Sequence, residues 1–129
     1  MNCPCGHKKD YTDCCLLFHT GKIFAKTAEQ LMRSRYSAFV KNDLKYIKRT
    51  MISPALDDFS NNKMKFSRKK IVWLGLQILS TEKGLESDTE GWVKFQAEYK
   101  DKNSRGVMVE DSYFKKIDNK WFYASARDS

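Results

Sequence analysis

Two periods of hydrophobicity divide the chain. From Thr27 to Val40 the apolar residues recur at helical spacing. At 100° per residue Leu31, Met32, Tyr36, Ala38, Phe39 and Val40 gather on one arc, with Ser34 and Ser37 opposite. Thr27, with Gln30 three residues later, reads as a helix cap with its capping box. Arg35 points between Leu31 and Phe39, inside the apolar arc. A guanidinium placed there needs a carboxylate partner or a polar cavity. Arg33 lies at the edge of the arc and is expected to be exposed. "NDLKYIKRTM" predicts a second short helix, capped by Asn42 or Asp43, with Leu44, Ile47 and Met51 inward and Ser53-Pro54 as its stop. "PALDDF" predicts a further helical turn.

From residue 71 the period changes. "IVWLGLQILSTEK" predicts one long, bent strand, with Gly75 permitting the bend. In "GWVKFQAEYKD", Val93, Phe95, Ala97 and Tyr99 alternate with polar residues, the pattern of a half-buried strand. "KNSRG" and "DNK" predict hairpin turns around "VMVEDSYFKKI", and "WFYASA" closes the sheet. Helices followed by an antiparallel meander make an α+β domain. Alternation places Met108, Glu110, Ser112 and Phe114 on one strand face and Val109, Asp111 and Tyr113 on the other. Glu110 is then an acid on a partly apolar strand face and Arg35 a base on an apolar helix face, so the two are expected to meet.

Composition narrows the function classes. The chain has 129 residues, of which 41% are hydrophobic and 13% aromatic, enough for a core that needs no disulfides. No apolar run reaches the roughly 18 residues of a membrane span, and the polar, cysteine-rich start is unlike a secretory signal, so a cytoplasmic protein is expected. A net charge of +8 favours an acidic partner: a protein surface, a ribosome or nucleic acid. "NNKMKFSRKK" (Asn61–Lys70) is basic, while Thr81–Gly91 is acidic and turn-rich. The basic run offers only Phe66 to stack on bases, which makes nucleic acid the weaker partner. No histidine follows His19, and no nucleophile motif or phosphate-binding glycine loop occurs, so catalysis is disfavoured. Pocket chemistry would fall to Arg35, Tyr36, Glu110 and Tyr113. Nothing in the pattern fixes an oligomeric state.

All four cysteines lie in "CPCGHKKDYTDCC": Cys3, Cys5, Cys14 and Cys15. Disulfides among pairs this close would be strained and would close little chain entropy. Zinc explains the spacing better, because it takes four thiolates in a tetrahedron at about 2.3 Å each. Cys3 and Cys5 flank Pro4 in one tight loop, Gly6 turns the chain away, and "HKKDYTD" returns it to Cys14 and Cys15. Four thiolates around Zn²⁺ leave a formal charge of about −2, which Lys8 and Lys9 offset. Four protein ligands leave no open position, so one structural zinc is expected. His7 and His19 are reserve ligands, and His19 is the alternative to Cys15.

"CPCG", a basic stretch, an aromatic and then "CC" resemble the SEC-C motif, the zinc module also found at the C-terminus of the SecA translocation ATPase. The usual Gly-Ser-Gly is reduced here to Gly6-His7. "AEQLMRSRYSAFVKNDLKYI", "WLGLQIL", "SYF" and "WFYA" are similar, in order, to the bacterial YchJ-like proteins. That resemblance implies a SEC-C motif (residues 1–22) before a nuclear-transport-factor-2-like, or cystatin-like, domain (residues 23–129). The latter is a cone of helices on a curved antiparallel sheet around a pocket. Many relatives carry a second SEC-C motif and end in "WYYxDG", where this chain has "WFYASA". By analogy with SecA-like proteins, whose SEC-C modules contact an acidic chaperone and the ribosome, the resemblance implies an adaptor with a basic loop, Lys8 and Lys9 foremost. The alternative is an enzyme or small-ligand binder using the pocket.

Overall fold

The computed structural model describes residues 2–59, 71–102 and 104–127. A 3-10 turn at Tyr11–Asp13 precedes α1 (Cys15–His19), α2 (Ala28–Lys41) and α3 (Leu44–Arg49), and residues 55–59 are helical again. Four strands follow: β1 (Ile71–Lys83), β2 (Glu90–Asp101), β3 (Ser104–Ile117) and β4 (Lys120–Arg127). They form one antiparallel meander in the order β1-β2-β3-β4. The predicted basic run Asn61–Lys70 lies outside the described residues.

Each boundary has a local cause. The Thr27 side chain accepts from the Gln30 N–H, and Gln30 Oε1 accepts in return from the Lys26 N–H at 2.7 Å, one residue before the position of a standard capping box. Asn42 ends α2 in the left-handed conformation, leaving Asp43 to cap α3 through the Tyr46 N–H. Strand β1 is continuous but bent, with register shifts at Trp73/Gly75 and Ile78/Ser80. Asp118 and Asn119, both at positive φ, make the two-residue turn between β3 and β4. The β1–β2 hairpin rests on the start of α2, where the Ala28 N–H donates to the Gly84 carbonyl at 2.9 Å. A Cβ at Gly91 would lie 2.3 Å from the Gly84 Cα, so this close backbone approach requires glycine.

The helices cover one face of the sheet. Val93, Phe95, Ala97, Phe114 and Trp121 pack there against Ala28, Leu31, Met32 and Tyr36. A second cluster joins Ala38 to Tyr46, Ile47, Met51 and Phe59. Residues 50–52 run beside β4: the Tyr123 N–H donates to the Thr50 carbonyl and the Ile52 N–H to the Tyr123 carbonyl. That contact covers part of a sheet edge that would otherwise present unpaired backbone.

Three expectations need correction. Ser34 and Ser37, placed opposite the apolar arc, are fully buried, while Val40, placed within it, is exposed. Leu44 is exposed as well, and Tyr46 fills the inward position beside Ile47. Ser34 and Ser37 are buried because α2 is covered on two faces, by the sheet and by the N-terminal segment with α3. A single-face helical pattern does not anticipate the second covering.

Candidate metal centre and internal cavity

The cysteines are drawn together by a short backbone frame. The Cys3 N–H donates to the Lys9 carbonyl at 2.6 Å, the Gly6 N–H to the Cys3 carbonyl, and the Cys14 N–H to the Tyr11 carbonyl. Gly6 has φ +101°, so the turn favours glycine, and a Cβ there would lie 3.1 Å from Arg33 Nη1. All four thiols are buried, unpaired by disulfides, and lie within 4.8 Å of one another. Cys5 and Cys14 Sγ are 3.6 Å apart. This is far beyond an S–S bond of about 2.05 Å. It matches the edge of about 3.8 Å implied by a tetrahedron with 2.3 Å metal–sulfur bonds. The cluster is thus able to hold one metal ion.

Its electrostatics call for one. The hydrogen bond from Cys15, with smaller help from the His7 backbone, Cys14 and Cys3, holds the Cys5 thiol down to about 4 against the effect of burial. The same Cys5 interaction pushes Cys15 up, and burial pushes Cys14 up to about 12. Four thiolates this close together repel one another, and a dication offsets that repulsion. His7 Nδ1 at 3.7 Å from Cys14 Sγ and Ser37 Oγ at 3.7 Å from Cys3 Sγ are positioned to donate to the thiolates.

The knuckle is fastened to the body. Arg33, expected to be exposed, is half-buried: it bridges Glu29 at 3.0 Å and the Cys5 carbonyl at 2.7 Å. Lys41 lies over the Tyr11 ring, and Arg49 donates to the His19 carbonyl. His19, the reserve ligand, is occupied elsewhere. Its Nε2 faces the Ser34 carbonyl at 2.9 Å, which can only accept, so Nε2 carries the proton and Nδ1 accepts from the Tyr11 hydroxyl at 2.7 Å. Its ring also packs on Tyr46, whose hydroxyl meets Ser34 Oγ. Burial lowers the His19 pKa below the ordinary 6.5. The unfolded chain therefore takes up this proton first, and His19 withdraws stability as pH falls below about 6.5. An NMR titration of the imidazole is expected to give a midpoint below 6.5; a midpoint at or above it contradicts this assignment.

Opposite the knuckle, α2 forms a wall of a cavity of about 580 Å³. Met32, Tyr36, Phe39, Trp73, Phe95 and Met108 supply most of its apolar lining. Arg35, Asp58, Glu110, Ser112, Tyr123 and Ser125 bring polar atoms to it. Trp73 is held edge-on between Tyr36, Phe39 and Tyr99. Arg35 is 5% exposed, and its Nη1 donates to the Ile47 carbonyl at 2.8 Å and to Thr50 Oγ1 at 2.7 Å. Its guanidinium lies 4.8 Å from the Tyr123 ring centroid. Burial lowers its pKa to about 10, so it stays cationic at neutral pH. Glu110 Oε2 accepts from both Ser112 and the Tyr123 hydroxyl.

Of the candidate pocket residues, the structure brings Arg35, Tyr36 and Glu110 to this cavity. Arg35 and Glu110 face the same space but form no ion pair, because Tyr123 stands between them with its ring on one and its hydroxyl on the other. Tyr113 is on the opposite face of β3, as alternation requires, with its hydroxyl donating to Glu90 at 2.9 Å and its ring against Trp92. Lys8 and Lys9 are exposed on the loop between the cysteine pairs. The sequence reading missed Tyr123 and Trp73 as site residues and His19 as the joint between knuckle and body. Tyr123 had one signal, since it stands two residues after Trp121 and alternation gives both the same strand face.

Among the described residues no helix is long and apolar enough to cross a membrane. The profile described as YchJ_M-like, "YchJ, middle NTF2-like domain", matches residues 27–126. A UPF0225 protein of Geobacter sulfurreducens is 39% identical over 121 residues, covering 94% of this chain and 75% of its own length. One of Streptomyces coelicolor is 41% identical over 125 residues, covering 95% and 91%. The solution structure of a SEC-C motif-containing protein from Rhodopseudomonas palustris is similar throughout, with a TM-score of 0.84 at 29% identity, covering 100% of this chain and 99% of that one. The chain belongs to the YchJ family of UPF0225 proteins, with a SEC-C cysteine cluster ahead of its NTF2-like domain.

Proposed function

We propose that this chain is a non-catalytic binding protein of a reducing compartment, whose knuckle holds one structural zinc and docks an acidic protein or ribosomal surface. The observation that carries this reading is the contrast within the knuckle: the four sulfurs are buried, while the loop from Gly6 to Asp10, with Lys8 and Lys9, is exposed. The first 49 residues add ten Lys and Arg against four Asp and Glu, most of the chain's +8. Such a field speeds and orients encounter with an acidic partner. The all-sulfur donor set and its tetrahedral edge favour zinc. The reduced protein is expected to carry one zinc per chain, and reduced protein purified without chelator that carries no metal overturns that part.

Capture from native lysate tests the docking. Wild-type chain is expected to retain salt-sensitive protein partners that are lost from both Cys14→Ser and the double variant Lys8→Glu, Lys9→Glu. Equal capture by all three sinks the docking reading, and nuclease-sensitive capture moves it to nucleic acid. A second reading is favoured by the cavity, whose volume and lining are those of a small-molecule site.

A further inference from the structure

We propose that the cavity takes a flat, neutral small molecule whose polar edge places a carbonyl beside an N–H, as in a lactam heterocycle, the carbonyl on Arg35 and the N–H on Glu110. This deepens the second reading above and rests on it. Arg35 spends its Nη1 on Ile47 and Thr50 and places its guanidinium carbon 4.8 Å from the Tyr123 ring centroid. Among the described residues nothing accepts from its Nε or Nη2, although the residue is more than nine-tenths buried and lines the cavity. Neither nitrogen is sealed in the core, so both can be reached from the cavity, where a ligand acceptor can take them in place of water.

Glu110 has the complementary need. Both of its donors, Ser112 and Tyr123, go to Oε2, and no described residue donates to Oε1. Tyr123 therefore has an unspent donor edge beside its ring and an unspent acceptor at its hydroxyl end. A carboxylate ligand would satisfy Arg35 but meet the charges of Glu110 and of Asp58, the exposed acid of the lining. An ammonium would satisfy Glu110 but meet that of Arg35. A neutral edge with one acceptor and one donor serves both, which is how a buried polar site selects its ligand. The walls fit the remainder of such a molecule: Trp73, Tyr36, Phe39 and Phe95 offer ring faces and edges, and Met32 and Met108 adapt to a planar body.

Three probes with the same fused two-ring body separate the possibilities: quinolin-2(1H)-one, 2-naphthoate and naphthalene, titrated into the metal-loaded chain and followed by protein NMR. The quinolinone is expected to bind at least tenfold tighter than the other two, with shifts at Trp73 and Tyr123. Glu110→Gln and Arg35→Met are each expected to reduce that preference to less than threefold. Tightest binding of naphthoate, or equal binding of naphthalene, overturns the head-group assignment and leaves the cavity reading standing. Absence of any cavity shift with all three overturns both. The wild-type series decides the matter even where a variant fails to fold.

Discussion

Removing the metal, by chelation under reducing conditions or by Cys5→Ser, is expected to lower the unfolding midpoint of the whole domain by about 10 °C. In isolated zinc-finger peptides metal binding supplies roughly 10–16 kcal/mol, because nothing else folds them. Here the sheet and α2 have their own core, so only the part coupled to the knuckle is felt. That part is concrete: Arg33 to the Cys5 carbonyl, Ser37 to Cys3, Arg49 to the His19 carbonyl, and the chain from Tyr11 through His19 to Ser34. Three or four net hydrogen bonds at about 1 kcal/mol each give roughly 3–4 kcal/mol. At about 3 °C per kcal/mol this is the stated shift. Calorimetry with and without chelator checks it. An unchanged midpoint would mean that residues 1–22 form an appendage on which the body does not depend.

The second large effect concerns Arg35. Arg35→Ala is expected to cost about 3 kcal/mol, and Arg35→Met only about 1 kcal/mol, in urea denaturation. Alanine leaves a void beside Tyr123 and Ile47, whereas methionine refills most of it and removes a desolvated charge that has no ion-pair partner among the described residues. The Ile47 carbonyl keeps a donor in either variant, since Thr50 Oγ1 also reaches it at 3.1 Å. A methionine variant as unstable as alanine would show that the guanidinium is kept for stability. Near-native stability in the methionine variant points instead to the cavity as the reason a buried cation is retained.

Much of this was legible in the sequence because local chemistry dictated it. The cysteine spacing led to the cluster, and the Thr27 cap and the change of period at residue 71 led to α2 and the sheet. Gly75 did mark the bend in β1. What stayed hidden depended on packing across long separations. Ser34 and Ser37 look like solvent-facing positions, yet their small size lets α3, His19 and Cys3 approach α2. Arg33 follows the same logic, since its exposure is removed by a loop 28 residues earlier. The pairing expected of Arg35 and Glu110 had the right faces and the wrong partner. Register brings Tyr123 beside Phe114, and the distance from Tyr123 to the helix cannot be read from alternation.

These observations converge on α2 as a shared element, with Arg33 and Ser37 turned to the knuckle and Met32, Arg35, Tyr36 and Phe39 to the cavity. The central claim is that the metal site holds that helix in place. Hydrogen exchange of the reduced chain, with and without metal, tests it most directly. Amides of residues 28–41 are expected to lose protection at least tenfold on metal removal, while those of the paired centre of β2 and β3 change little. Loss of protection confined to residues 3–19, with α2 unchanged, would contradict the claim.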